Sequence, residues 1–494
     1  MNIRKIKIYS LLTVLVMGAS SCTKFLNVTP VGQTTIPTVF SDMDGIRAAI
    51  PGAYAKTYDY YSSHFYLYPE LAGDLLNPDL SLINEGEVNI YNLQSVPEQE
   101  AAPSAKIWSD ILAALANVNN ALFYLPSLQQ KYPLNQKELE IYKAELLFLR
   151  ALAHFDLCRA YAQPYNYTAE ATHLGIPILT QTPSPDDNVA RQPVKKVYEF
   201  ILNDLKEAER IYNNTPELRT QKQQPYYVSK QAVQALFSRI YLYMEDWDQA
   251  IFYASAVITA KPLVAHADYM DMFLNLAGQE KETIFRLNGE DKGSGLFSFY
   301  NFRTGEDKFA YPSGAPSNIF INSFDEANDI RKNALLLQID AGSSFYYVSR
   351  KFDAVQTSSE RSKQHINPLI LRASEVYLNR AEAYIAKKQP ELAAADIKAI
   401  QGRARNLSPE AITLPESDIE AMKTIVYQER IRELGLEGHR LFDITRRKQD
   451  LVRVANTTST TQKLTYPSDY FILPIPLREL DANPNMKPNP TVNN

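Results

Sequence analysis

The sequence predicts a mainly α protein: helix pairs stacked in tetratricopeptide fashion, an irregular, loop-rich lobe and a few short strands. Three observations carry this expectation. The stretch 138–161 places Leu139, Tyr142, Leu146, Leu149, Ala153 and Leu157 on one helical face. Two stretches, 232–254 and 373–399, share one shape: a helix, a short turn, then Trp247-x-x-Ala250 or Leu392-x-x-Ala395. Between them, 268–360 loses the helical period and mixes aromatics with Gly, Ser and Pro.

Along the chain, Arg4, Lys5 and Lys7 precede an apolar run and then Gly18-Ala19-Ser20-Ser21-Cys22. The run is too short for a spanning helix and has the layout of a secretory leader. Residues 1–21 are therefore expected as a signal peptide. Cys22 stands where a lipoprotein signal places its acylated residue, so lipidation, palmitate included, is expected there. Pro30, Gly32 and Pro37 make 22–39 an extended tether.

From residue 40 to the end we expect one body. Its helical scaffold covers about 40–60, 104–267 and 367–447. In 40–60, Ile46, Ile50, Tyr54 and Tyr58 repeat every four residues, Asp42 or Asp44 caps, and Pro51 starts a new piece. A helix over 108–125 pairs with 138–161. An irregular crossover follows over 163–193, and Pro193 opens the next helix. Ser229 caps a helix to Met244, and Asp246 or Asp248 opens another to Thr259. The irregular, ligand-facing lobe takes about 61–103 and 268–366, with short strands in EKETIFRLNGE and SSFYYVSRKF. The Ser/Thr run 457–461 reads as a hairpin tip, and the proline-rich end as an extended finish.

The stretch YQERIRELGLEGHRLFDITRR, 427–447, mixes apolar and charged residues around Gly435 and Gly438. Glycine allows close approach and positive φ, and Arg satisfies a carboxylate bidentately where water is scarce. Glu437, Arg440, Asp443 and Arg446 are thus expected to form a structural clasp at a helix junction, with His439 beside them.

Composition excludes several functions. Net charge is −5, with no basic tract and no zinc-finger cysteine spacing, so nucleic acid is not an expected partner. Two cysteines build no disulfide framework, and Cys158 reads as a buried thiol. The histidines stand apart at 64, 154, 173, 266, 365 and 439, with no pair at ligand spacing, and His154 reads as a core residue. There is no HExxH, GxSxG or GxGxxG, and no carboxylate pair singles itself out for glycoside hydrolysis. No catalysis, metal or cofactor is expected.

The segments AELLFLRALAHFDLCRAYAQP, GIPI, ARQPVKKVYEFILNDLKEA, SKQAVQALFSRIYLYMEDWDQA, LILRASEVYLNRAEAYI, the clasp stretch and YFILPIPLRELDANPNM occur in that order. Together they resemble the SusD/RagB family of outer-membrane nutrient-binding lipoproteins of Bacteroidetes, from Cys22 to the end. The resemblance implies a SusD-like scaffold held at the outer membrane by lipid on Cys22, exposed at the cell surface. It implies a partner, a SusC/RagA-like TonB-dependent transporter, and an oligosaccharide ligand to be captured and delivered to it. Peptide uptake of the RagB kind and a mainly architectural transporter cap are the alternatives.

Sugar sites stack aromatic faces on pyranose rings and fix hydroxyls with amide, carboxylate or guanidinium groups. The candidate ligand residues from the two least periodic stretches are Asp74, Asn77, Asn84 and Tyr91, then Phe299, Tyr300, Arg303 and Tyr311. They can act together only where both stretches meet in space, as an open, shallow site.

Overall fold

Local rules start most helices. Asp42 accepts from the Gly45 N–H and opens α1, Met43–Tyr61, which buries Ile46, Ile50, Tyr54 and Tyr58. Pro51 starts no new piece. It lies on the exposed face, where the carbonyl of Arg47 loses its helical donor beside water, so the helix runs through it. One helical turn, Ile36–Val39, precedes α1 where a wholly extended tether was expected, because Pro37 falls in its first turn and is tolerated there. This is a computed structural model, and it describes residues 35–184, 186–220, 223–274, 281–289, 292, 295–300, 312–324, 328–340, 345–352 and 366–490. The expected leader, Cys22, Arg303 and Tyr311 lie outside them.

The segment 61–103 is more regular than expected. It holds α2, His64–Leu71, and α3, Glu85–Tyr91. Phe65, Tyr66 and Tyr68 leave no readable period because α2 is buried on nearly every side. The scaffold continues with α4, Pro103–Lys131, and α5, Gln136–Tyr161. The crossover then forms a small antiparallel ladder, β1, Leu174–Pro177, with β2, Arg191–Pro193. Next come α6, Val194–Asn214, α7, Lys230–Met244, and α8, Trp247–Ala260. Ser229 accepts from the Ala232 N–H and Asp246 from the Gln249 N–H at the heads of α7 and α8.

The lobe contributes β3, Thr283–Arg286, α9, Gly295–Tyr300, α10, Ile330–Leu335, and the hairpin β4, Leu336–Asp340, with β5, Phe345–Ser349. A strand, β6, Leu369–Arg372, pairs antiparallel with β3 before helices resume. The scaffold closes with α11, Ala373–Ala386, α12, Pro390–Arg405, α13, Ile419–Leu434, and α14, Arg440–Arg446. A two-residue ladder, β7, Leu451–Val452, with β8, Lys463–Leu464, carries the Ser/Thr run at its tip. The tail is not wholly extended: α15, Leu477–Ala482, forms directly after Pro476, which stands at its N-cap.

Each scaffold helix packs on the next: α4 on α5, then α6, α7, α8, α11 and α12, with α13 against both α11 and α12. The α7–α8 and α11–α12 turns are the same device. Glu245 and Lys388 take positive φ of 61° and 59°. Their N–H groups donate to Leu242 and Ile385, and the next N–H in each donates to Tyr241 or Tyr384. This is a Schellman closure built without glycine.

Helix α5 is the central member, buried without interruption over 151–162. Its two buried acids, Glu145 and Asp156, are both engaged. Glu145 accepts both arms of Arg219 at 2.9 Å. Asp156 accepts from the Tyr60 and Tyr61 hydroxyls and from Arg159. Cys158 is a buried free thiol, pushed up to about 12 by burial. The tail returns to this helix: the Leu473 N–H donates to the Ala160 carbonyl, and the Asn489 amide donates to the Tyr161 and Leu473 carbonyls. Arg191 joins the same point, donating to the carbonyls of Gly175, Tyr161 and Lys487.

His154 is fully buried in α5. Its Nδ1 donates to the Arg150 carbonyl at 2.9 Å and its Nε2 accepts the Leu179 N–H at 3.0 Å, which fixes a neutral ring. Burial lowers it to about 4. The folded state therefore holds fewer protons than the unfolded chain between the ordinary histidine value and about 4. Stability is present above that window and lost as pH falls through it, by up to about 3 kcal/mol from this residue. Urea unfolding across that range should show a shallower acid loss for His154→Gln than for the parent chain.

Candidate functional site

The clasp is a buried ion network, and Glu433 stands at its centre. Its carboxylate accepts from Arg331, Arg372 and Arg403 at 2.9, 2.7 and 2.6 Å. Arg331 also holds Asp329 and Glu429, and Arg372 holds Glu282 and Glu437. Lys351 gives its three N–H groups to the Glu433 carbonyl, the Gly435 carbonyl and Glu437. Burial pushes Glu433 up, but the Arg403, Arg372 and Arg331 guanidiniums together hold it well below the usual carboxylate range. Asp329, Arg331 and Lys351 belong to the lobe and Glu433 to the scaffold, so this network fastens one to the other.

The clasp residues divide their partners. Glu437 takes Lys351 and Arg372, Arg440 takes Asp74, Asp443 takes Arg430 and Arg446, and Arg446 also takes Glu382. Between α13 and α14 the chain turns through Leu436 and Gly438, both at positive φ. A Cβ on Gly435 would meet the Phe320 ring at 2.4 Å, so the close approach needs glycine there. The turn aims four N–H groups, of Leu436, Gly438, His439 and Arg440, at one carboxylate, Glu70 of α2. Burial raises Glu70 to about 7 against the pull of those donors. Sequence reasoning missed Glu70. Its signal was a lone acid inside the apolar run FYLYPEL.

The two least periodic stretches do meet. Leu76 bridges Pro316, the Asn77 N–H donates to Ala315, and the Asp79 N–H donates to Ser313. The Ser/Thr hairpin tip joins them. Thr458 donates its N–H to Asn77 Oδ1 at 2.9 Å, and Asn92 Oδ1 accepts from the Ser459 hydroxyl and the Thr460 N–H. The result is an edge built from 77–84, 312–316 and 457–461, with Ser81, Leu82 and Asn84 exposed.

The candidate ligand residues divide across this edge. Asn84 is exposed and caps α3 in a reciprocal capping box with Glu87. Asn77 is half-buried and also accepts from the Tyr91 hydroxyl. The other described candidates stand behind the edge, which corrects the expectation that they face an open site. Asp74 is buried because its carboxylate pairs bidentately with Arg440, at 2.5 and 2.7 Å. Tyr91 is fully buried under the Arg453 guanidinium, 4.6 Å from its ring. Tyr300 is fully buried, stacked on Phe352 at 4.3 Å and 10°. Phe299 packs edge-on against Tyr300. Aromatic rings in a segment without period looked spare, but they fill the seam between lobe and scaffold.

The described residues form a helix-pair scaffold with a lobe fastened to it by buried charges, and hold no cluster of metal-ligating side chains. Known proteins place the chain further. The SusD family profile matches residues 297–491, and a SusD-like profile described as starch-binding and associating with the outer membrane matches 24–242. The chain belongs to the SusD/RagB family: non-catalytic outer-membrane proteins that bind nutrients and work with a SusC-type transporter. SusD-like protein P25 of Formosa agariphila is 21% identical, over 100% of this chain and 99% of its own length. A SusD superfamily protein from Bacteroides thetaiotaomicron has the same fold, at TM-score 0.77 and 24% identity, covering 91% of this chain and 100% of that one. So does a putative sugar binding protein from Bacteroides vulgatus, at TM-score 0.75 and 24% identity, covering 91% and 98%.

Removing one partner of a buried pair strands the other charge. Arg440→Ala leaves Asp74 unpaired and should cost about 3–5 kcal/mol in denaturant unfolding, whereas Lys196→Ala, in an exposed pair, should leave the curve unchanged. Tyr300→Ala should cost a similar ~3–5 kcal/mol by opening a cavity in the seam.

Proposed function

We propose that this chain is a surface-exposed lipoprotein that captures an oligosaccharide and delivers it to a SusC-like TonB-dependent transporter. The observation that carries the reading is the edge where 77–84, 312–316 and 457–461 are joined. It presents amide, hydroxyl and carboxylate groups beside exposed Leu82, on a support held rigid from behind by Arg440–Asp74 and Arg453–Tyr91. Hydroxyl-rich ligands are recognised by such groups with an apolar face alongside. The starch-binding description of the profile over 24–242 supports a glycan, as does the sugar-binding description of the Bacteroides vulgatus relative.

Within this reading, 1–21 is a signal peptide, 22–39 a tether acylated at Cys22, and 40–494 the binding body. Asn77 and Asn84 contact ligand at the edge, while Asp74, Tyr91, Phe299 and Tyr300 hold its shape. Calorimetry against a panel of neutral oligosaccharides and a panel of peptides tests the ligand. Sugar affinity should rise with chain length, and Asn84→Asp, which keeps the helix cap but removes the amide donor, should weaken it about fivefold at an unchanged melting temperature. Binding of peptides alone supports the RagB-type alternative, and binding of neither supports an architectural cap.

The anchor is tested by membrane fractionation. Two acyl chains hold a protein stably at a bilayer where one does not. The parent chain should sediment with outer membranes and co-purify with a barrel-sized transporter, and Cys22→Ser should appear folded in the soluble fraction. A parent chain recovered alone and unacylated by intact mass would sink both proposals.

A further inference from the structure

A second site stands on the scaffold, away from the edge. The two Schellman turns bring Glu245 and Lys388 to the mouth of an open cleft of about 570 Å³, closed below by α13 and the end of α14. Ligand pockets commonly fall in this size range. Trp247 and Tyr427 line it, both half-buried. Its floor is Glu382 with two arginines, Arg446 and Arg447, each bidentate on that one carboxylate.

The floor does not balance. Arg446 also holds Asp443, which holds Arg430. Three guanidiniums, of Arg430, Arg446 and Arg447, therefore face two carboxylates, Glu382 and Asp443. At the rim, Lys388 and Lys423 are matched by Glu245 and Glu420, so the surplus positive charge stays at the floor. Arg447 is the group with capacity left. Its Nε and Nη2 serve Glu382, while its Nη1 has no protein partner among the described residues, on a side chain that lines the cleft and is 4% exposed. Its guanidinium lies 3.7 Å from the Tyr427 ring centroid, which fixes its plane.

We propose that this cleft binds an acidic sugar, a hexuronate unit, with its carboxylate on Arg447 Nη1 and its ring against Trp247 and Tyr427. A carboxylate supplies the charge that the floor lacks, and a planar guanidinium already held in place binds it at little ordering cost. The half-exposed rings fit the C–H face of a pyranose, and the charged rim fits its hydroxyls. The cleft shares no residue with the edge, and its ligand differs from the neutral glycans tested there.

Trp247 reports occupancy directly, because Trp108, the chain's other tryptophan, is 1% exposed. Tryptophan fluorescence of the folded chain is titrated with methyl glucuronide, digalacturonate, methyl glucoside, methyl galactoside and the dipeptide Ala-Ala. The uronates should quench saturably, at least tenfold more tightly than the neutral glycosides and the dipeptide, and more weakly as salt rises. Arg447→Gln should remove the preference for uronates. Where that variant melts early, Arg447→Lys keeps the charge, and the comparison among ligands on the parent chain stands without any variant. Asn84→Asp should leave uronate quenching unchanged, so failure at the edge and failure here are separable. Absence of quenching at high millimolar uronate, equal affinity for neutral glycosides, or equal affinity for Ala-Ala overturns the proposal.

Discussion

The contact between Glu433 and its three arginines is the constraint on which the rest depends. A carboxylate buried to this degree survives in charged form only because Arg331, Arg372 and Arg403 converge on it from three separate elements. Each arginine then needs further acceptors, which brings Asp329, Glu429, Glu282 and Glu437 inward. Lobe and scaffold thus meet across a network in which each charge is shared among several partners. A set of bidentate pairs fixes one register. That register is what sets the edge of 77–84 against 312–316.

Much of the scaffold was legible because its signals are local. Asp42, Ser229 and Asp246 cap the helices that they precede in sequence, and the tetratricopeptide-like shape at 232–254 and 373–399 appears as two equivalent turns. The clasp was legible as a composition, arginine and acid around two glycines, but not as a pairing. Glu437 meets Lys351 and Arg372, and Arg440 meets Asp74, hundreds of positions away in the last case. No period or spacing encodes such partners.

The candidate site was legible only in outline. The meeting of two distant stretches follows from backbone bonds such as Asn77 to Ala315, which leave no mark in either segment alone. The individual residues went astray for one reason. In 61–103 and 295–300, aromatics are frequent because two bodies are joined there, and a seam buried on both sides shows neither helical nor strand alternation. Tyr91 and Tyr300 looked unassigned when they were the most enclosed rings of their segments. The Ser/Thr run 457–461, by contrast, looked like a bare tip, and Thr458 and Ser459 turn out to tie Asn77 and Asn92 together.

The return of the tail to α5 has a consequence for how the chain comes into being. The carbonyls at the end of that central helix are satisfied by Leu473 and Asn489, and Arg191 reaches Lys487 beside them. The end of a helix at 136–161 is thus sealed from water only by residues more than three hundred positions further along the chain. Contacts this distant in sequence form late and slowly.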